Sequence, residues 1–244
     1  PRGLKNIRPL NDYVCRMRAS ILLIGPLLAN FGKVNMAFPG GCVLGKRPVY
    51  AHTGALEQLG CKILEESKEL KIKVPNLQGG DVTMPELSVT ATENLIMTAV
   101  KAEGETTIKL AAAEPHVQDL CKFLNKMGAK IRGLGTHTLT IKGTKTLKGT
   151  KYRVTGDYLE AGTFAVAAAI TNGDVRIKGI LTEHLDSFWQ KLREAGVKFT
   201  LTPTEAHIQG YEKLKAVKTL RTAVFPSFPT DLQAPFSVLL TQAK

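Results

Sequence analysis

The stretch LEQLGCKIL, Leu56 to Leu64, returns twice in the chain, as LNKMGAKIR at 124–132 and as LREAGVKFT at 192–200. Each copy reads as the end of an amphipathic helix, a glycine, and a strand with Lys at its second position. The glycines are Gly60, Gly128 and Gly196, so successive copies stand 68 residues apart. Glycine takes the left-handed conformation that closes a helix, which explains its place in the pattern. Two short alternating runs joined by a polar turn then follow, at 129–133 and 138–142 in the second copy and at 197–202 and 206–210 in the third. A period of this length marks a repeated compact unit, too large for a thin solenoid.

Working outward, a second and more uniformly apolar kind of helix alternates with the first, at 19–30, 88–102, 159–171 and from 232 onward. Thr163–Ile170, TFAVAAAI, is apolar on nearly every side, which predicts a helix buried among other elements. Thr90 with Glu93 predicts a capping box, and Asp157 with Glu160 follows the same logic. Each unit therefore reads strand, buried helix, strand, amphipathic helix, two strands. The fold class is α+β, with helices packed beneath sheets. The irregular Gly-, Thr- and Lys-rich join at 143–156 divides the chain into a first domain at 1–155 and a second at 156–244.

Composition narrows the function. The 244 residues are 43% hydrophobic, and no run of about 18 apolar residues predicts a membrane span. The start PRGLKNIRPL has no apolar signal core and no initiator Met, and the end SVLLTQAK stops inside an apolar run. Both ends read as cut from a longer chain. Cys15, Cys42, Cys61 and Cys121 lack metal-ligand spacing or a dense disulfide pattern, and the five histidines show no i, i+4 pair. No metal and no cofactor is expected, and a reducing cytoplasm is the default location. A formal charge of +12 points to nucleic acid or to an anionic small substrate. The Lys and Arg are scattered, with no aromatic-studded basic strand, so nucleic acid is the disfavoured partner.

Pro39–Pro48, PGGCVLGKRP, comes within one residue of a P-loop: Gly40, Gly45 and Lys46 fit, but Arg47 stands where magnesium needs Ser or Thr. Pro48 follows where the P-loop helix would already run. Arg47 suits phosphate or carboxylate, and cations close in sequence favour the thiolate of Cys42. Cys42 is therefore the candidate reactive cysteine, while Cys15, Cys61 and Cys121 sit among apolar or helical neighbours and predict core filling. Arg18, opening the first apolar helix, is a second anion-binding candidate. Asp231, in FPTDLQA, predicts either the N-cap of the last helix or a proton acceptor held by Pro226 and Pro229.

The ordered series MRASILLIGPLLANFG, PGGCVLGKRPV, GALEQLG, LSVTAT, AAAEP, EAGTFAVAAAI and RTAVFPSFPTDLQA resembles the UDP-N-acetylglucosamine 1-carboxyvinyltransferase family of enolpyruvyl transferases over essentially the whole chain. The resemblance implies two domains built from six βαβαββ units in an inside-out α/β barrel, incomplete in this chain. It implies transfer of the enolpyruvyl group of phosphoenolpyruvate to the sugar 3-hydroxyl of UDP-N-acetylglucosamine, with release of phosphate, at the start of peptidoglycan precursor synthesis. Both partners are small anions, which gives the positive charge a use. By resemblance Cys42 is the proton donor and the residue that forms covalent adducts, with phosphoenolpyruvate and with the epoxide fosfomycin. Asp231 is the base near the 3-hydroxyl, and Arg18 and Arg47 hold anionic groups. Pro48, Val49, Tyr50 and Ala51, with Glu86, Leu87, Ser88 and Val89, form two segments beside the nucleotide.

Tyr50 and Ala51 depart from the Asp-Leu common in the family, Glu86 from a frequent Lys, and Tyr158 from a usual Arg. The family's amino-terminal Lys-Asn pair and carboxy-terminal Asp and Arg residues have no counterpart within the 244 residues. The chain alone is accordingly expected to be inactive. A shikimate-type transferase of the same fold, or a non-catalytic nucleotide-sugar binder, is the alternative.

Overall fold

Gly60, Gly128 and Gly196 all have positive φ, +79°, +107° and +85°, in the computed structural model, which describes residues 11–40, 48–65 and 69–243. Each repeat thus ends its amphipathic helix by the same left-handed turn. The first stretch runs α1 (Asn11–Arg16), a 3-10 helix (Arg18–Leu23), α2 (Ile24–Phe31), β1 (Lys33–Ala37), α3 (Tyr50–Glu57), β2 (Lys62–Glu65) and β3 (Glu69–Lys73). A complete unit follows: β4 (Asp81–Thr83), α4 (Val89–Ala99), β5 (Glu105–Lys109), α5 (Pro115–Lys126), β6 (Lys130–Arg132) and β7 (Thr138–Lys142). The third stretch holds α6 (Tyr158–Ile170), β8 (Val175–Lys178), a 3-10 helix (Thr182–Leu185), α7 (Asp186–Glu194), β9 (Val197–Thr202) and β10 (Glu205–Tyr211). A 3-10 turn (Thr230–Leu232) then leads into α8 (Gln233–Leu240).

The three sheets repeat one order, β1-β3-β2, β4-β5-β7-β6 and β8-β10-β9. In each, the later strand of the closing hairpin is inserted between its hairpin partner and the strand that precedes the amphipathic helix. Those pairings are antiparallel, with Val34 opposite Ile72, Ile108 opposite Leu139 and Ile177 opposite Ala206. The added strand β4 runs parallel to β5. Alternation puts Val34, Met36, Leu70, Ile72, Ile108 and Ile141 on the helix side, all fully buried or nearly so. The architecture is α+β.

Two compact units result, one running through Ala113 together with Val117–Tyr152, the other joining Glu114–His116 to the chain from Arg153 onward. The second packs Phe188, Trp189, Phe228 and Phe236 at ring separations of 5.0–6.0 Å, with Trp189 Nε1 donating to the Thr182 carbonyl at 2.9 Å. Among the described residues no helix is long and apolar enough to cross a membrane.

Three expectations from the sequence change. Thr90 does not cap α4: the helix begins at Val89 after Ser88, so Thr90 already lies inside it and its hydroxyl turns to His52. Cys15 is exposed, because α1 turns the neighbouring Val14 into the core instead. TFAVAAAI keeps an open side, with Phe164 56% exposed, while Ala165, Val166, Ala168 and Ala169 are buried. Asp157, by contrast, caps α6, its Oδ1 accepting from Leu159 N at 2.8 Å and Glu160 N at 3.2 Å.

Candidate functional site

The first unit gathers part of the expected site at three helix starts. Arg18 opens its 3-10 helix after an extended Met17, in a turn tied by Ser20 Oγ donating to the carbonyls of Met17 and Val14. Arg18 Nη2 donates to the Pro48 carbonyl at 3.1 Å, linking that helix to the approach to α3. Val49 is the buried residue before α3, Tyr50 begins it with its ring half exposed, and Ala51 is buried. The Tyr50 phenol donates to the Glu86 carboxylate, so two departures from the family pattern meet each other. That bond holds the Tyr50 phenol above its ordinary pKa. Leu87 is partly exposed, and Ser88 gives its carbonyl to Thr92 N and Oγ1. Gln58 clasps both backbone groups of Thr83, at 2.9 and 3.0 Å, holding α3 against the end of β4.

Beneath these segments lies a polar network that the sequence alone did not reveal. Asn94, fully buried on α4, accepts from Gly25 N at 2.8 Å through Oδ1 and donates to the Ile21 carbonyl at 3.0 Å through Nδ2. Two backbone groups therefore fix its amide orientation. The remaining Nδ2 proton faces His52 Nδ1 at 3.0 Å, which must accept. His52 then carries its proton on Nε2 and donates it to Thr90 Oγ1 at 3.2 Å. The legible signal is the unbroken polar run Thr92-Glu93-Asn94 in α4, but the distance from His52 to Asn94 along the chain hides the pairing.

Burial first, and then the nearby Arg18 charge, lower the His52 pKa to about 4. Protonation would also turn an N–H toward the Asn94 amide. The ordinary value near 6.5 applies when the chain unfolds, so the unfolded state takes up a proton first as pH falls. The stabilisation is complete above about pH 6.5, declines between 6.5 and 4, and is lost below that, a swing of roughly 3 kcal/mol. Urea unfolding at pH 7 and pH 4.5 measures it. His52→Gln should flatten the difference between the two, and an unchanged difference refutes it.

In the second unit, Leu232 packs so closely on α6 that a methyl on Gly162 would come within 2.4 Å of its side chain. This contact seats the 3-10 turn Thr230–Leu232 and sets the place of the exposed Asp231. The expected N-cap role is not seen: Leu232 occupies the cap of α8 and Pro229 that of the 3-10 turn, with no side-chain capping bond at either. Asp231, Asp157 and Glu114 form a negative surround for Tyr158 and His116, whose rings stack at 6.4 Å. Burial, then these carboxylates, push the Tyr158 phenol up to about 12, while burial lowers His116 against their opposing pull.

Cys42 and Arg47 lie outside the described residues. Cys61 and Cys121 are buried, and burial pushes their thiols up to about 11 and about 12, with the Glu93 charge adding to the second. Neither is a ready nucleophile near neutral pH. Among the described residues no cluster of His, Cys, Asp or Glu is arranged to hold a metal.

Residues 2–244 match the EPSP synthase (3-phosphoshikimate 1-carboxyvinyltransferase) family. UDP-N-acetylglucosamine 1-carboxyvinyltransferase of Hydrogenovibrio crunogenus is 45% identical over 228 residues, covering 93% of this chain and 54% of that protein. UDP-N-acetylglucosamine 1-carboxyvinyltransferase 1 of Caldanaerobacter subterraneus is 42% identical over 241 residues, covering 99% of this chain and 58% of its own length. The chain thus spans little more than half of these curated relatives. Among solved structures, the enolpyruvyl transferase NikO from Streptomyces tendae superposes with a TM-score of 0.83 at 19% identity, over 97% of this chain and 57% of that one. EPSP synthase of Acinetobacter baumannii gives 0.63 at 23% identity, over 82% and 48%. At such identities these two likenesses concern the fold, which all three chains share.

Proposed function

The chain belongs to the EPSP synthase family, and from that premise we propose that the whole protein transfers the enolpyruvyl group of phosphoenolpyruvate to the 3-hydroxyl of UDP-N-acetylglucosamine. The observation that carries this choice of acceptor is identity of 41–45% across nearly all of the chain with relatives named for that reaction. The Arg18 guanidinium beside the start of α3 supports it, since a helix start and a guanidinium suit a nucleotide diphosphate, whereas the Glu86 carboxylate bonded to Tyr50 adds nothing to that attraction.

In this reading Asp231 accepts the proton of the sugar 3-hydroxyl as its oxygen attacks C2 of phosphoenolpyruvate, and Cys42 protonates C3. The resulting tetrahedral intermediate keeps its phosphate. Loss of a C3 proton and departure of phosphate then leave the enolpyruvyl ether. Arg18 and Arg47 hold anionic groups of the substrates, and the segments 48–51 and 86–89 flank the nucleotide. The place of action is the cytoplasm, at the entry to peptidoglycan precursor synthesis.

Phosphate release by the whole protein should require phosphoenolpyruvate and UDP-N-acetylglucosamine together, and the 244-residue chain alone should give none. Turnover with shikimate 3-phosphate in place of the nucleotide sugar would reassign the acceptor. Peptide mapping after fosfomycin treatment should find Cys42 modified, with Cys61 and Cys121 spared. Labelling of the exposed Cys15, or of either buried thiol, ahead of Cys42 would refute that assignment.

A further inference from the structure

His52 follows Ala51 directly, and its hydrogen-bond partner Thr90 follows Val89 directly, so one imidazole bridges the ends of both proposed nucleotide segments. Its other nitrogen meets Asn94, which in turn holds the Ile21 carbonyl in the 3-10 helix that Arg18 opens and the amide of Gly25 just beyond. Three chain segments bearing proposed substrate contacts therefore hang on one buried chain of hydrogen bonds. A further side-chain link between the approaches to α3 and α4, Tyr50 to Glu86, lies at the surface and is open to competition from water.

We propose that His52 is a positioning residue for the nucleotide sugar, holding the segments 48–51 and 86–89 in fixed register with each other and with the Arg18 helix. This rests on the nucleotide-sugar reading above. A purely space-filling role would be met by an apolar side chain of similar volume without burying polar atoms. Instead the ring supplies one acceptor and one donor on separate nitrogens, matched to an amide whose orientation the backbone dictates and to the Thr90 hydroxyl. Burial and the neighbouring Arg18 keep the ring neutral, as this pairing requires.

The test compares His52→Ala and His52→Gln in the whole protein, with melting temperature measured alongside kinetics. Loss of the bridge in His52→Ala should raise KM for UDP-N-acetylglucosamine roughly tenfold, with kcat and the KM for phosphoenolpyruvate within about twofold of wild type. Glutamine offers one donor and one acceptor and should recover most of that loss. Equal rises in both KM values, a fall in melting temperature without a change in KM, or a glutamine variant as impaired as alanine would each overturn the proposal. Nitrogen-15 NMR of the wild-type imidazole adds a readout independent of substrate: it should show a proton on Nε2 and none on Nδ1 at neutral pH, and the opposite tautomer or a charged ring overturns the assignment. If wild type fails to turn over the nucleotide sugar, the functional reading falls and the positioning role falls with it. If wild type is active and His52→Ala keeps its KM, positioning alone is wrong.

Discussion

Asp231→Asn in the whole protein is expected to lower kcat by roughly two to four orders of magnitude, the range for loss of a general base. The side chain is exposed and makes no capping hydrogen bond, so folding stability should stay within about 0.5 kcal/mol of wild type. What fixes its position is the backbone: Leu232, fully buried, seats the turn on α6, and the Leu232 amide donates to the Pro229 carbonyl at 3.1 Å. Asparagine preserves shape and removes the proton acceptor. Steady-state kinetics and thermal unfolding on the same preparation separate the possibilities. A variant that melts early but turns over normally would return Asp231 to a structural role.

Gly25→Ala should destabilise the fold by about 3 kcal/mol, lowering the melting temperature by roughly 10 °C. A methyl group there would lie 2.6 Å from the Asn94 carbonyl oxygen, 3.1 Å from its Cα and 3.0 Å from Met97 Cβ. Two of those three neighbours are backbone atoms of α4, so side-chain rotation offers no escape. Separating α2 from α4 would also stretch the bond from Gly25 N to Asn94 Oδ1, which satisfies an amide in the first turn of α2 that has no partner within the helix. Gly80→Ala is the control, since nothing lies within 4 Å of that position. Differential scanning calorimetry distinguishes them, and equal melting of the two variants would contradict the close-packing argument.

The fold was largely legible because its strongest signals are periodic and local. A helix ending in Gly-x-Lys recurs at fixed spacing, and backbone geometry alone turns each glycine into the same left-handed cap. Asp157 was readable for a similar reason, its partners being two and three residues away. The misread positions depend on where an element starts or which way it faces. Thr90 failed as a cap by its place inside α4, and Cys15 failed as a core residue because α1 spends its buried face on Val14. Of the candidate site, Arg18 is legible from its place at a helix start and Tyr50 and Glu86 from motif resemblance, whereas His52 and Asn94 are not. Their pairing spans 42 positions and arises only when α3 and α4 pack, so no local pattern announces it.

The repeated strand order also bears on how the chain reaches its folded state. Each sheet draws its strands from one continuous window, 33–73, 81–142 or 175–211, and no described strand pairs with a strand from another window. Contact order within every sheet is therefore modest, and loop closure for one sheet does not wait on another. Strand pairing can proceed window by window during synthesis, but the first two windows share one hydrophobic core through α2 and α4, so their cooperative stability waits on the packing of those helices.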